Sequence, residues 1–213
     1  MRMIMVTAFI LLLMAAIPLP VSAESGDDPR WLFTLKGGQG EMQTENWETI
    51  YDEDINFGGI AIGWQFIRQL GINLGASYSR SKGMAKTISG RPSGDKVKTR
   101  LVPVDLSCVY RLAFIKDQIV VPYVAAGLTH TLYQTQLNDD QRTGGQSGYH
   151  VKGGIQFLLD LLDPTAAYTM KRDSRVENTY LFVEYYLSEV DDFGSESIDL
   201  GSKGIAGGLV FEF

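Results

Sequence analysis

Cysteine is almost absent. Cys108 is the only one in 213 residues, which excludes an intramolecular disulfide framework and any cysteine-rich zinc site. Histidine is nearly as scarce, with His130 and His150 alone, so imidazole catalysis or metal ligation has few starting points. Basic residues are outnumbered, 19 Lys+Arg against 25 Asp+Glu, for a formal charge of −6. That acidic balance argues against nucleic acid as the main partner. Long hydrophobic runs are missing too: beyond residue 23 none approaches the roughly 20 residues a membrane helix needs.

What the chain does have is glycine, 23 residues of it, and aromatics: 10 Tyr, 10 Phe and 3 Trp. Glycine is a poor helix residue and aromatics favour pleated surfaces, so this mixture suits strands and turns. With 45% hydrophobic and 21% charged residues, the chain is not of disordered type, and its length fits one domain.

The N-terminus stands apart. Arg2 supplies a positive start, Ile4 to Ile17 is almost wholly apolar, and Pro18 and Pro20 break the segment before Val21-Ser22-Ala23. This is the layout of a secretory signal peptide over residues 1–23, cleaved after Ala23. No Cys follows that site, which argues against a lipoprotein anchor. Cleavage removes one base and no acid, leaving −7 on residues 24–213.

Those residues alternate apolar and polar in segments of about ten, separated by polar, Gly-rich stretches. The pattern predicts eight strands, near 30–39, 55–67, 71–80, 98–111, 119–133, 148–159, 178–188 and 202–213. In the third, Ile72, Leu74, Ala76 and Tyr78 share one face; in the seventh, Leu181, Val183, Tyr185 and Leu187 do so against Tyr180, Phe182, Glu184 and Tyr186. The apolar face carries aromatics toward the strand ends (Trp64, Phe66, Tyr78, Tyr110, Tyr149, Phe213), like interfacial girdles. The opposite face mixes charged, small polar and glycine residues in mid-strand. A soluble barrel or sandwich places its apolar face inward, whereas this pattern suits a polar lumen and an apolar exterior. Lipid tolerates no unpaired strand edge, so the expected fold is all-β, an eight-stranded antiparallel transmembrane β-barrel.

Connections 40–54, 81–97, 134–147 and 189–201 read as long and polar, and those at 68–70 and 112–118 as short, as a barrel with two unequal rims requires. The stretch 160–177 breaks that alternation. Leu161, Leu162, Ala166 and Ala167, with Pro164 at the start, allow either a short amphipathic helix or an ordered turn. Charge is segregated among the connections. Residues 40–54 hold Glu41, Glu45, Glu48, Asp52, Glu53 and Asp54 without a base, and 189–201 add Glu189, Asp191, Asp192, Glu196 and Asp199. Residues 80–98 carry Arg80, Lys82, Lys86, Arg91, Lys96 and Lys98 against Asp95. Solvated hairpins attracting one another account for this; so does a basic segment meeting lipopolysaccharide phosphates, with acidic segments taking divalent cations. No ligand spacing supports a metal or cofactor site.

Pro122-Tyr123-Val124-Ala125-Ala126-Gly127-Leu128, Tyr149-His150-Val151-Lys152-Gly153-Gly154-Ile155 and the terminal Gly208-Leu209-Val210-Phe211-Glu212-Phe213 resemble the small outer-membrane β-barrel proteins typified by the OmpA membrane domain, OmpX and OmpW. The resemblance spans residues 30–213. It implies that Leu209, Phe211 and Phe213 form a C-terminal assembly signal read by the outer-membrane assembly machinery. It also implies a monomer among outer-membrane lipids and lipopolysaccharide. The chain departs from the pattern in the length of 160–177 and in having no C-terminal peptidoglycan-binding domain.

For chemistry, the informative residues are the charges expected in the lumen: Lys36, Arg100, Asp105, His150, Lys152 and Glu184. An eight-stranded interior is about wide enough to be filled by side chains, and buried charges must be paired. A salt-bridged plug is the structural reading and a gate on a narrow path the functional one. Lys152 and Glu184, on neighbouring strands, are the expected ion pair. His150 with Ser147 and an acid from 189–201 gives a third reading, a lipid A-modifying barrel enzyme, although the His-x-Ser motif of outer-membrane deacylases is absent. His130 falls on the lipid face. The expectation is an outer-membrane protein of structural or surface-interaction role without catalysis, with a narrow channel, that enzyme and a soluble periplasmic lipid carrier as alternatives.

Overall fold

The computed structural model describes residues 31–43, 55–86, 92–137, 140–195 and 199–213; the expected signal peptide lies outside them. The strands are β1 (Trp31–Met42), β2 (Ile55–Ile67), β3 (Leu70–Lys86), β4 (Pro92–Arg111), β5 (Val120–Leu137), β6 (Asp140–Leu158), β7 (Asn178–Glu189) and β8 (Ser202–Glu212). A helix, α1 (Pro164–Ser174), joins β6 to β7. Each strand runs antiparallel to its sequence neighbours, and β1 pairs with β8, so the sheet is a closed barrel without edges. Closure reaches the last residue: Trp31 N donates to Phe213 O at 3.2 Å and Phe213 N to Trp31 O at 2.9 Å.

Side chains alternate across the wall with the two-residue period of a strand. Leu74, Leu106, Leu128, Leu132, Val183 and Ile205 face outward, each about half exposed or more. Trp31 meets Trp64 edge-on across the β1–β2 register, ring centroids 4.6 Å apart, at the short-turn end. This is the outward-apolar, aromatic-rimmed pattern of a transmembrane barrel. Glycine serves where strands press together. A Cβ at Gly127 would lie 1.9 Å from the Leu106 carbonyl oxygen, and one at Gly208 1.9 Å from that of Leu35.

One expectation about the connections is corrected. The segments 81–97 and 134–147 are not long loops: β3 and β4 pair as far as Lys86 and Pro92, and β5 and β6 as far as Leu137 and Asp140. Beyond the apolar band both faces of these ladders are polar, so no hydrophobic alternation marks them as strands. Of the two readings open for 160–177, the structure has the helix. Asp163 caps it, its carboxylate accepting from Thr165 N at 3.1 Å and Ala166 N at 2.9 Å, with Pro164 in the first turn and Lys171 and Arg172 in the last. Arg175, in the left-handed region at φ 58°, ends it.

Candidate functional site

The interior is layered rather than uniformly polar. At the short-turn end Leu32, Val109, Val121, Tyr123, Leu158, Phe182 and Val210 form one buried apolar cluster. Met42, Ile55, Leu101, Val190 and Leu200 form another toward the far end. Charged side chains lie between and below them, contributed by strands across the barrel from one another.

The central layer is built on Asp105 of β4. Its Oδ2 meets Lys152 Nζ of β6 at 2.8 Å and Lys36 Nζ of β1 at 3.5 Å, with side chains only 12%, 13% and 9% exposed respectively. Its Oδ1 accepts from Thr129 Oγ1 at 3.1 Å. Thr129 also meets His150 Nδ1 at 2.7 Å, and His150 Nε2 meets Ser107 Oγ at 2.8 Å. The single proton of the Thr129 hydroxyl goes to Asp105, so a neutral His150 must donate from Nδ1 and accept from Ser107 at Nε2. A chain of hydrogen bonds thus runs Ser107–His150–Thr129–Asp105 across three neighbouring strands. Glu184 of β7 accepts from the Tyr123 hydroxyl at 2.7 Å.

The basal layer is built on Arg111 of β4. Nη1 meets Glu212 Oε1 of β8 at 2.5 Å, while Nε and Nη2 donate to Gln156 Oε1 at 3.0 and 2.7 Å. The guanidinium carbon lies 5.4 Å from the centroid of the Tyr180 ring. Asn178 Nδ2 donates to the other Glu212 oxygen at 2.9 Å. The planar fork of arginine suits such a buried, several-armed contact.

Among the described residues, cavities of about 80, 60 and 30 Å³ adjoin these layers. Lys36, Asp105, Lys152 and Glu184 border the first two, and Arg111 borders the second and third. Each is small against the roughly 300 Å³ or more of an ordinary ligand pocket. Among the described residues no group of three or more His, Cys, Asp or Glu side chains could hold a metal ion.

Of the residues singled out from sequence, Lys36, Asp105, His150, Lys152 and Glu184 stand in the lumen. Arg100 does not: it is exposed on the outer face and donates to Gln134 Oε1 at 3.1 Å. It lies five residues from Asp105 on one strand, and an odd separation puts two residues on opposite faces. Nor does Lys152 pair with Glu184. The register sets Gly154 opposite Glu184 and Lys152 opposite Tyr186, and Lys152 reaches across to Asp105 instead. Ser147 and His150 also point to opposite sides of the wall. Ser147 Oγ meets His130 Nδ1 at 2.9 Å on the exterior, so the Ser147–His150 pair on which the enzyme reading rested does not form. Leu209, Phe211 and Phe213 share the outward face of the last strand. Arg111, Glu212, Tyr123 and Ser107 escaped the sequence reading, although inward parity with Asp105 was visible for Ser107 and Arg111. In the connections, Glu41 pairs with Lys203 at 3.3 Å; Glu45, Glu48, Asp52, Glu53, Asp54, Arg91 and Glu196 lie outside the described residues.

No family model matches the chain, and no curated protein matches it. Solved structures do. The barrel is similar to Neisserial surface protein A, with a TM-score of 0.55 at 14% identity over 86% of this chain and 97% of that one. It is likewise similar to the outer membrane protein OprG of Pseudomonas aeruginosa, with a TM-score of 0.56 at 11% identity over 87% and 96%. At such identities the likeness is one of architecture. The chain therefore has the fold of the small eight-stranded outer-membrane β-barrels.

Proposed function

We propose that the protein is an integral outer-membrane barrel of structural or surface-interaction role, lying among outer-membrane lipids and lipopolysaccharide, whose lumen is closed by its own side chains. One observation supports this reading: two separate charged layers, Lys36–Asp105–Lys152 and Arg111–Glu212, cross an interior that also holds a buried apolar cluster toward each end. The outward apolar surface supports the membrane assignment, and among the described residues the lumen cavities, about 80 Å³ or less, speak against a carried lipid. Fractionation tests the assignment: the protein should sediment with the outer membrane and migrate faster on gels unheated than heated. Recovery in the soluble fraction without detergent would overturn it.

A gated narrow channel is the second reading. It is favoured by the stacking of three cavities that share only side-chain partitions. Ion pairs can exchange partners, and Glu184 borders the same cavities as Lys36 and Lys152. The enzyme reading finds less support. The Ser107 hydroxyl is placed on an imidazole, as nucleophilic catalysis requires, but it faces a cavity of about 60 Å³, too small for an acyl chain.

A further inference from the structure

The outer wall of the β3–β4 ladder pairs like charges. The register sets Arg80 directly opposite Arg100 and Lys82 opposite Lys98. Arg80, Lys98 and Arg100 are exposed on the outward face. Directly opposed residues of an antiparallel pair have Cβ atoms about 5 Å apart, and like charges there are destabilising. Successive outward rows are separated by about 7 Å of strand. Four positions for cations thus occupy two adjacent rungs of one hairpin.

Among the described residues no acid forms an ion pair with Arg80, Lys98 or Arg100 along the wall. Strands β3 and β5 contain no Asp or Glu, and of the two acids of β4, Asp105 points into the lumen and Asp95 lies beyond the Lys82–Lys98 rung, past Lys96. Arg100 is held along the wall by Gln134 of β5. The other side of the barrel solves the same problem differently: beyond its apolar band, Glu41 of β1 stands opposite Lys203 of β8, and the two pair at 3.3 Å. Among the described residues one wall is neutralised from within the chain, and the other is not.

The rungs begin where the apolar band stops. Tyr78, two residues before Arg80, and Leu132, two before Gln134, are each 49% exposed on the same face. In a barrel whose apolar band sits in lipid, the Arg80–Arg100 rung stands at the level of the headgroups. We propose that this face of β3 and β4 binds the phosphates of lipid A in the outer leaflet, with Arg80, Lys98 and Arg100 as the contacting cations. Guanidinium groups take phosphate oxygens in paired hydrogen bonds, and a phosphate supplies the negative charge that two opposed arginines lack. The site rests on the outer-membrane reading and gives it a specific lipid partner.

The test follows the unfolding temperature of the compact form in detergent micelles as lipid is added. Lipid A bearing both phosphates should raise the midpoint of the wild-type chain; dephosphorylated lipid A and inorganic phosphate at equal concentration should not. The variant Arg80→Gln/Lys98→Gln/Arg100→Gln should need about tenfold more lipid A for half the effect, the sum of three exposed ion contacts. Lys203→Gln, on the opposite wall, should respond as wild type. Equal responses of wild type and the triple variant would overturn the site, as would an equal shift with dephosphorylated lipid A or with inorganic phosphate. Should the triple variant not fold, the single Arg80→Gln and a salt titration of wild type replace it: salt must weaken the lipid A effect, and indifference to salt contradicts the proposal. A chain with no compact form in any micelle contradicts the membrane reading itself, whereas a compact chain blind to phosphorylated lipid A contradicts this site alone.

Discussion

Replacing Asp105 by Asn removes the one carboxylate that two lysines share. Lys152 loses a partner at 2.8 Å and Lys36 one at 3.5 Å, and both ammonium groups stay buried. Removing one member of a buried ion pair costs about 3–5 kcal/mol, mainly because the other is left uncompensated. Asparagine keeps an oxygen for the Thr129 hydroxyl, and Glu184 borders the same cavities, so the expected cost is near the lower end, about 3 kcal/mol. Lys36→Met should cost less than about 1 kcal/mol, the range for an apolar replacement that leaves the stronger pair intact. Combining the two removes the stranded ammonium at position 36, so the double variant should be more stable than Asp105→Asn alone, with a coupling of about 1 kcal/mol or more. The same cycle on Lys152 and Glu184 should give coupling near zero, since each has another partner. Urea unfolding from lipid vesicles, read by tryptophan fluorescence, supplies these numbers. An Asp105→Asn cost below about 1 kcal/mol would refute the reasoning, placing the layer in water rather than in a packed lumen.

Arg111→Met should cost about 3–5 kcal/mol in the same assay, because Glu212 keeps its charge in a site where its side chain is 4% exposed; adding Glu212→Gln should restore part of it. Gly127→Ala should destabilise by about 1–3 kcal/mol, since its new methyl meets the Leu106 carbonyl on the facing backbone rather than a movable side chain, whereas Gly153→Ala, with open space around it, should be tolerated. Deleting Phe213 removes both backbone hydrogen bonds that tie the C-terminus to Trp31 and should lower the membrane-inserted yield measured by the gel-mobility shift.

Parity made most of this molecule legible. Once Ile72, Leu74 and Tyr78 were set outward, the alternation of each strand followed, and so did the inward placing of Asp105, Lys152 and Glu184. The same rule puts Arg100, an odd five residues from Asp105 on one strand, on the outward face. Pairing was harder. Lys152 and Glu184 sit on neighbouring strands, but their register slips by two residues, while the partner Lys152 finds is two strands away. Arg111 and Glu212 are linked only because the barrel closes and staggers its strands, a property of the whole sheet that no local pattern carries. The extended hairpins were invisible for another reason: a ladder with polar residues on both faces has no hydrophobic period. In α1 the signal was local, since Asp163-Pro164 opens the helix by the ordinary chemistry of capping.

Closure of the lumen by side chains from opposite walls is the central claim, and conductance across planar bilayers tests it most directly. The wild-type chain should insert and stay electrically silent, while Asp105→Ala combined with Arg111→Ala, which removes the anchor of each charged layer, should give steady single-channel currents. A wild-type conductance as large as that of the double variant would contradict the account.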